Sequence, residues 1–310
     1  MALRYVPLVL VSLIAACGAS QPRASVGPQL YLAGDREMWI VDASTQTVRH
    51  VTRSQLKPSD APHRIIARGR RLVVGTAFGD SSFFLPSVHP DRVWVVDLDP
   101  RTSTARAVRE VTVDGVTTVH ASRPPGRRRP LGAVNDGLLL EAGNGVDVWD
   151  PATGRVVHHL REANGIIGAA TGDVVTGCTD VWCGALRLID VDTGGTRVLH
   201  APSGLTFEPW EGAFSPSGDL LAVPVREPGA LDAPRRLALV YIARSRIAVL
   251  DGSRVPAGYT LVAWSASGDY VFLTGGERSS HRVIVGYRLG TRRAQVLDVD
   301  VGDFYDAAAI

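Results

Sequence analysis

FSPSGDLLAV at residues 214–223 and WSASGDYVFL at residues 264–273 are one phrase written twice: an aromatic residue, Ser, a small residue, Ser-Gly-Asp and an apolar run. An apolar segment that meets such a turn and is followed by a second apolar segment reads as two antiparallel strands. Glycine supplies the backbone conformation that a tight turn needs, and Ser and Asp bond their own backbone there. GAATGDVVTG at 168–177, GAVNDGLLLE at 132–141 and IARGRRLVVG at 66–75 keep the same outline.

A second phrase trails the first: MWIVDASTQTVRHV (38–51), VWVVDLDPRTSTARAV (93–108), VDVWDPATGRVVHHL (146–160) and LRLIDVDTGGTRVL (186–199), with degenerate copies at 238–250 and 283–297. Each is an apolar strand, a turn, usually Asp-rich, and an alternating strand, which is a hairpin pattern. Joined, the two phrases make four strands in roughly 35 to 55 residues, repeated with no amphipathic helix between them. Such sheets bury their faces only against neighbouring copies, which is the requirement of a radial β-propeller.

The reading is therefore all-β, a single propeller over residues 30–310 with six four-stranded blades and seven as the alternative. The count is least constrained at 109–131, where a long stretch separates two units. The first copy of the second phrase has only one strand before it, from about Leu30, and the chain ends in the orphan apolar segment DFYDAAAI. The economical arrangement has that C-terminal strand supply the innermost strand of the first blade and close the ring, which removes exposed sheet edges. The phrases resemble the WD40-like and TolB-type propeller repeats of bacterial envelope proteins. That resemblance implies a fold and leaves activity open, because such propellers host many functions.

The first residues, MALRYVPLVLVSLIAAC, carry Arg4, an apolar run from Val6 to Ile14 and small residues before Cys17. The run is shorter than the roughly 20 residues needed to cross a bilayer, so it reads as a secretion signal. Ile14, Ala15, Ala16 and Cys17 resemble the bacterial lipobox. The resemblance implies a signal peptide over 1–16, diacylglycerol on Cys17, and anchoring to the outer face of the bacterial cell membrane. Residues 17–29, small and polar with two prolines, read as a flexible tether.

The 310-residue chain is 45% hydrophobic with a net charge of +2, a balance that suits neither a nucleic-acid binder nor a disordered acidic chain. It shows no G-x-S-x-G elbow, H-E-x-x-H pair or glycine-rich phosphate loop. Adjacent His158 and His159 point to opposite faces of a strand and make a poor chelate, which leaves them as partly solvated surface. DVDVGD at 298–303 has Asp303 at the sixth position, where a helical calcium loop needs glycine, and no glutamate at the twelfth. No catalytic residue, metal or cofactor is assigned.

Nearly every long insertion falls in the loops between second and third strands (76–92, 178–183, 226–236, 275–282) or in the crossovers between blades (120–132, 201–212). In a propeller these share one face, and loops on a rigid frame usually carry function. Phe83, Phe84, Trp182 and Trp210 would supply contact area there, and Arg127, Arg128 and Arg129 a cationic patch. The expected role is a protein-binding or scaffold module for an envelope partner. The alternative is a propeller hydrolase or lyase acting on cell-wall sugars or lactones, with a site assembled at the channel from distant blades.

With Cys17 assigned to lipid, Cys178 and Cys183 remain as a pair in an oxidising compartment. Zinc lacks further ligands nearby, and a thioredoxin-like pair would have two intervening residues rather than four. The repeat sets the two cysteines at facing strand ends, where a disulfide fits. Closing so short a loop contributes about 2 kcal/mol, so its expected role is to shape the loop that presents Trp182.

Overall fold

The Ser-Gly-Asp phrase closes the same turn both times in the computed structural model. Ser215 N–H donates to Leu220 O (2.8 Å) and Gly218 N–H to Ser215 O (2.9 Å), while Ser215 Oγ accepts from Leu220 N (3.2 Å). Ser265, Gly268 and Tyr270 repeat the three bonds at 3.0, 2.9 and 3.1 Å. Gly218 and Gly268 sit at φ +76° and +72°, where an L side chain is disfavoured. A Cβ on Gly268 would meet only Pro216 Cδ, at 3.8 Å, so substitution there costs backbone strain and no clash. Gly268→Ala is expected to destabilise by about 1–2 kcal/mol, read as a lower urea midpoint at constant slope.

The structure describes residues 27–34, 37–51, 62–68, 71–76, 82–87, 89, 91–99, 101–113, 117–135, 137–161, 166–170, 173–178, 183–208, 211–229, 234–250, 255, 260–275, 283–291, 293–302 and 304–310. The signal peptide (1–16), Cys17 and most of the tether lie outside them.

The first blade joins β1 (Gln29–Gly34), β2 (Met38–Asp42) and β3 (Thr47–Val51). A two-stranded sheet follows, β4 (Pro62–Arg68) and β5 (Arg71–Thr76). The second blade is β6 (Ser82–Pro86), β7 (Arg92–Leu98), β8 (Ala105–Thr112) and β9 (Thr118–Ser122). The third is β10 (Pro130–Val134), β11 (Gly137–Ala142), β12 (Gly145–Asp150) and β13 (Arg155–Leu160). The fourth is β14 (Ile166–Ala170), β15 (Asp173–Cys178), β16 (Ala185–Asp190) and β17 (Thr196–His200). The fifth has β18 (Thr206–Phe207), β19 (Ala213–Phe214), β20 (Leu220–Arg226), β21 (Arg236–Tyr241) and β22 (Arg246–Val249). The sixth is β23 (Thr260–Trp264), β24 (Tyr270–Gly275), β25 (Val283–Arg288) and β26 (Arg293–Leu297), and β27 (Phe304–Ala309) returns to the first blade.

Six antiparallel sheets of four or five strands thus form a six-bladed propeller, and β4–β5 occupies the arc between the first and second blades. The ring closes as expected. β27 pairs with β1 from Leu30↔Ala309 to Gly34↔Phe304, and Gln29 and Ile310 exchange backbone bonds at 3.0 and 2.9 Å. Apolar clusters fill the seams between blades: Trp94, Leu138, Leu140 and Trp149 between the second and third, and Val271, Leu273 and Tyr287 against Leu237 and Leu239 between the fifth and sixth.

One assignment needs correction. The sequence pattern places 66–75 in one blade with VWVVD and treats 76–92 as a loop; instead SFFLP at 82–86 is a strand paired from Ser82↔Asp97 to Pro86↔Val93. An aromatic-rich segment satisfies its backbone by pairing, although Asp-Ser-Ser before it and Pro within it look like loop chemistry. The hairpin β7–β8 consequently forms the second and third strands of its blade, whereas β12–β13 and its equivalents form the third and fourth.

The Asp of the second phrase has a single local purpose. Asp42, Asp99, Asp150 and Asp190 each accept backbone N–H bonds from residues two or three ahead, at 2.7–3.1 Å. At Asp150, burial pushes the carboxyl up, but bonds from Thr153 and Ala152 outweigh it and hold the group below its ordinary value. At Asp190 the N–H and hydroxyl of Thr193 lower it. A folded value below the unfolded one gives stability that is present above about pH 4 and is lost as pH falls through the folded value. Asp150→Ala with Asp190→Ala is expected to cost about 1 kcal/mol per site at pH 7, and less at pH 3, in urea titrations at each pH.

Candidate functional site

Antiparallel order divides each blade's connections between two rims. Turns from first to second strand and from third to fourth lie on the lower rim; second-to-third loops and crossovers lie on the upper. The lower rim repeats the Asp turn in the first, third and fourth blades and the Ser-Gly-Asp turn in the fifth and sixth, so its chemistry there is that of folding. The upper rim is individual.

Its most developed feature grows from a proline. Pro224 lies within β20 and has no N–H for the ladder. The innermost strand of the fifth blade is split opposite it by a bulge that carries Glu208 and Glu211: β18 pairs as Thr206↔Arg226 and Phe207↔Val225, and β19 as Ala213↔Ala222 and Phe214↔Leu221. Glu208 N–H is satisfied by Pro224 O at 2.8 Å.

The bulge carries two carboxylates to one guanidinium. Arg235 Nη1 donates to Glu208 Oε2 and to Glu211 Oε2, both at 2.8 Å, and its Nη2 donates to Thr260 Oγ1 at 2.8 Å. Arg226 Nε lies 3.0 Å from Glu208 Oε1. The side chains of Arg235, Glu208 and Glu211 are 9%, 15% and 12% exposed, so their charges meet largely out of water. Burial pushes the Glu211 carboxyl up and the nearby Glu208 charge adds to this, while Arg235 opposes both. Each carboxylate is bound by a guanidinium, so the arrangement acts as a clamp. It ties the bulge to the β20–β21 loop and to β23 of the next blade. It does not present a free acid and base.

A second buried acid lies in the third blade. Asp147 on β12 is 5% exposed and accepts Arg128 from the crossover and His159 Nδ1 at 2.6 Å. Ala105 N–H donates to Arg128 O (2.7 Å) and Glu141 N–H to Arg129 O (2.8 Å), which fastens the crossover over two blades. The three arginines therefore do different things. Arg128 is spent on Asp147, Arg129 is exposed with Glu141 at 3.9 Å, and Arg127 is exposed in the turn. His159 is exposed on β13, as expected, and it also partners a buried acid.

Of the other residues singled out in the sequence, Phe83 and Phe84 belong to β6, the innermost strand of its blade, and not to a loop. Trp182 and Trp210 lie outside the described residues. Cys178 ends β15 and is disulfide-bonded to Cys183, with Cα atoms 4.6 Å apart. The clamp residues Glu208, Glu211, Arg226, Arg235 and Thr260 escaped the sequence reading. Four of them lie in or beside segments marked as upper-rim loops, and Pro224 inside an apolar run was the available clue. Among the described residues no group of three or more His, Cys, Asp and Glu side chains could hold a metal ion. No helix of the described residues is long and apolar enough to cross a membrane.

No protein-family profile matches the chain, and no curated protein matches it. Among solved structures, TolB from Acinetobacter baumannii superposes with a TM-score of 0.54 at 11% identity, over 91% of this chain. The chain spans 66% of that TolB chain, just under two thirds. An oligogalacturonate lyase in complex with manganese superposes with a TM-score of 0.50 at 11% identity, over 86% of this chain and 77% of the lyase. At such identities the likeness is one of propeller fold alone.

Proposed function

We propose that the chain is a lipid-anchored, extracytoplasmic propeller whose upper rim holds another protein of the cell envelope. The observation that carries this reading is the contrast between the rims. The lower rim repeats its Ser-Gly-Asp turns and the Asp42, Asp150 and Asp190 turns, whereas the upper rim, apart from the Asp99 turn of the second blade, is held in shapes of its own by a disulfide, the Arg235 clamp and the Arg128–Asp147 pair. Loop bases fastened to a closed frame suit recognition, because those positions are ordered before binding.

The termini support the orientation. Gln29 and Ile310 meet on the lower rim, so a tether from Cys17 reaches the propeller there and leaves the upper rim facing away from the membrane. At 3.3–3.6 Å per extended residue, a tether from Cys17 to Gln29 can reach at most roughly 40 Å. The disulfide agrees with an oxidising compartment.

The test is photo-crosslinking in intact cells from exposed positions on each rim, Arg127 above and Ala152 below. Capture of one and the same envelope protein from Arg127 and not from Ala152 is the expected result. Equal capture from both rims, or capture only from Ala152, would overturn the assignment of the upper rim.

A further inference from the structure

The disulfide does more than close its own loop. Cys183 is 4% exposed and packs in the cluster of Leu186, Leu205, Phe207 and Val225, at the seam between the fourth and fifth blades. Its backbone lies at φ +50°, a left-handed conformation that a non-glycine residue adopts at a cost. In that conformation its carbonyl accepts the N–H of Phe207 at 3.0 Å. Phe207 ends β18, and the next residue is Glu208, which Arg226 and Arg235 hold. A continuous chain of bonds therefore runs from the disulfide through the Cys183 peptide to the split inner strand, to the clamp, and on to Thr260 of the sixth blade.

We propose that the Cys178–Cys183 disulfide is a reducible latch: a dithiol reductant opens it and thereby releases β18 and the Glu208–Glu211–Arg235 clamp that follows it. Cys178 is the partly exposed partner and Cys183 the buried one, so the reductant's thiolate attacks Cys178 Sγ. The S–S bond breaks, and Cys183 leaves as a thiolate that takes up a proton in its apolar seam. The reductant's second thiol then displaces Cys178 from the mixed disulfide. Two electrons and two protons have passed to the protein, and the reductant ends as its own disulfide. Without the covalent tie only the Phe207 bond and the apolar packing of residue 183 oppose its left-handed strain. The peptide relaxes, its carbonyl turns away from Phe207, and the upper rim of three blades loosens while the lower-rim turns and the β27–β1 closure stay intact. The latch works on the rim's geometry, whichever partner that rim holds.

Hydrogen exchange on the full-length protein, oxidised and then treated with dithiothreitol, tests this. On reduction the Phe207 amide is expected to lose about 5- to 30-fold in protection, the factor that left-handed strain at one residue implies. Leu32 in the first blade should be unchanged. Cys178→Ser with Cys183→Gly, where glycine accepts φ +50° freely, should keep more Phe207 protection than Cys178→Ser with Cys183→Ser. Three results would each overturn the latch: unchanged Phe207 protection in the reduced protein, equal loss at Leu32, or thiols that dithiothreitol cannot release from the folded chain. Equal protection in the two double variants would overturn the left-handed mechanism.

Discussion

A chain ending at Gly302 is expected to lose the closed propeller altogether: no cooperative thermal transition, and aggregation in place of a monomeric peak on size-exclusion chromatography. The missing segment includes β27, the innermost strand of the first blade, and the ladder from Leu30↔Ala309 to Gly34↔Phe304 goes with it. Phe304 is 2% exposed and packs with Leu30, Leu32, Trp39 and Phe272, so its loss opens the seam between the sixth and first blades. Deleting a buried phenylalanine side chain alone costs about 3–5 kcal/mol, and each lost backbone bond adds about 0.5–1.5 kcal/mol. That sum consumes most of the roughly 5–15 kcal/mol by which a domain is stable. The β1 edge left behind would be long and apolar, ready to pair with a second copy. A truncated chain that melted at the full-length temperature would show that the ring does not depend on this strand.

Arg235→Ala is expected to cost about 3–5 kcal/mol, because it leaves two buried carboxylates short of a charge. Glu208 keeps Arg226 at 3.0 Å, whereas Glu211 loses the guanidinium that opposes its burial. The pH dependence identifies the cause. Burial already raises the folded value of Glu211 above its ordinary value of about 4.3, and removing Arg235 raises it further. A raised acid binds its proton more readily in the folded state, so stability falls as pH climbs from the unfolded value to the folded one. Urea unfolding should therefore show a smaller deficit at pH 5 than at pH 8. Adding Glu211→Gln to the variant should recover part of the deficit at pH 8. A deficit of the same size at every pH would point to lost packing of the arginine stem.

How far the sequence could be read depended on how local each feature is. The Ser-Gly-Asp and Asp-x-x-Thr turns were legible because their hydrogen bonds close within five residues, as at Ser215–Leu220 and Asp190–Thr193. The closing strand was legible because the first blade came up one strand short. β6 was missed because a short Phe-Phe-Leu segment flanked by Asp-Ser-Ser and Pro carries equal signs of strand and loop, and pairing with β7 settles it. The clamp was missed because its members, from Glu208 to Thr260, are drawn from two loops and two strands that meet only once the ring forms.

The sequence by itself determined that this protein is a string of hairpins, since hairpin chemistry is short-ranged, and it made the return of the last strand to the first blade the economical arrangement. Only the tertiary structure decided which strands of a blade each hairpin supplies. The same Asp turn lies on the upper rim at Asp99 and on the lower rim at Asp150, because the bond from the N–H two residues ahead to the Asp carboxylate is local and forms in either place. The seam contacts and the inner strand β6, both products of distant packing, set the choice.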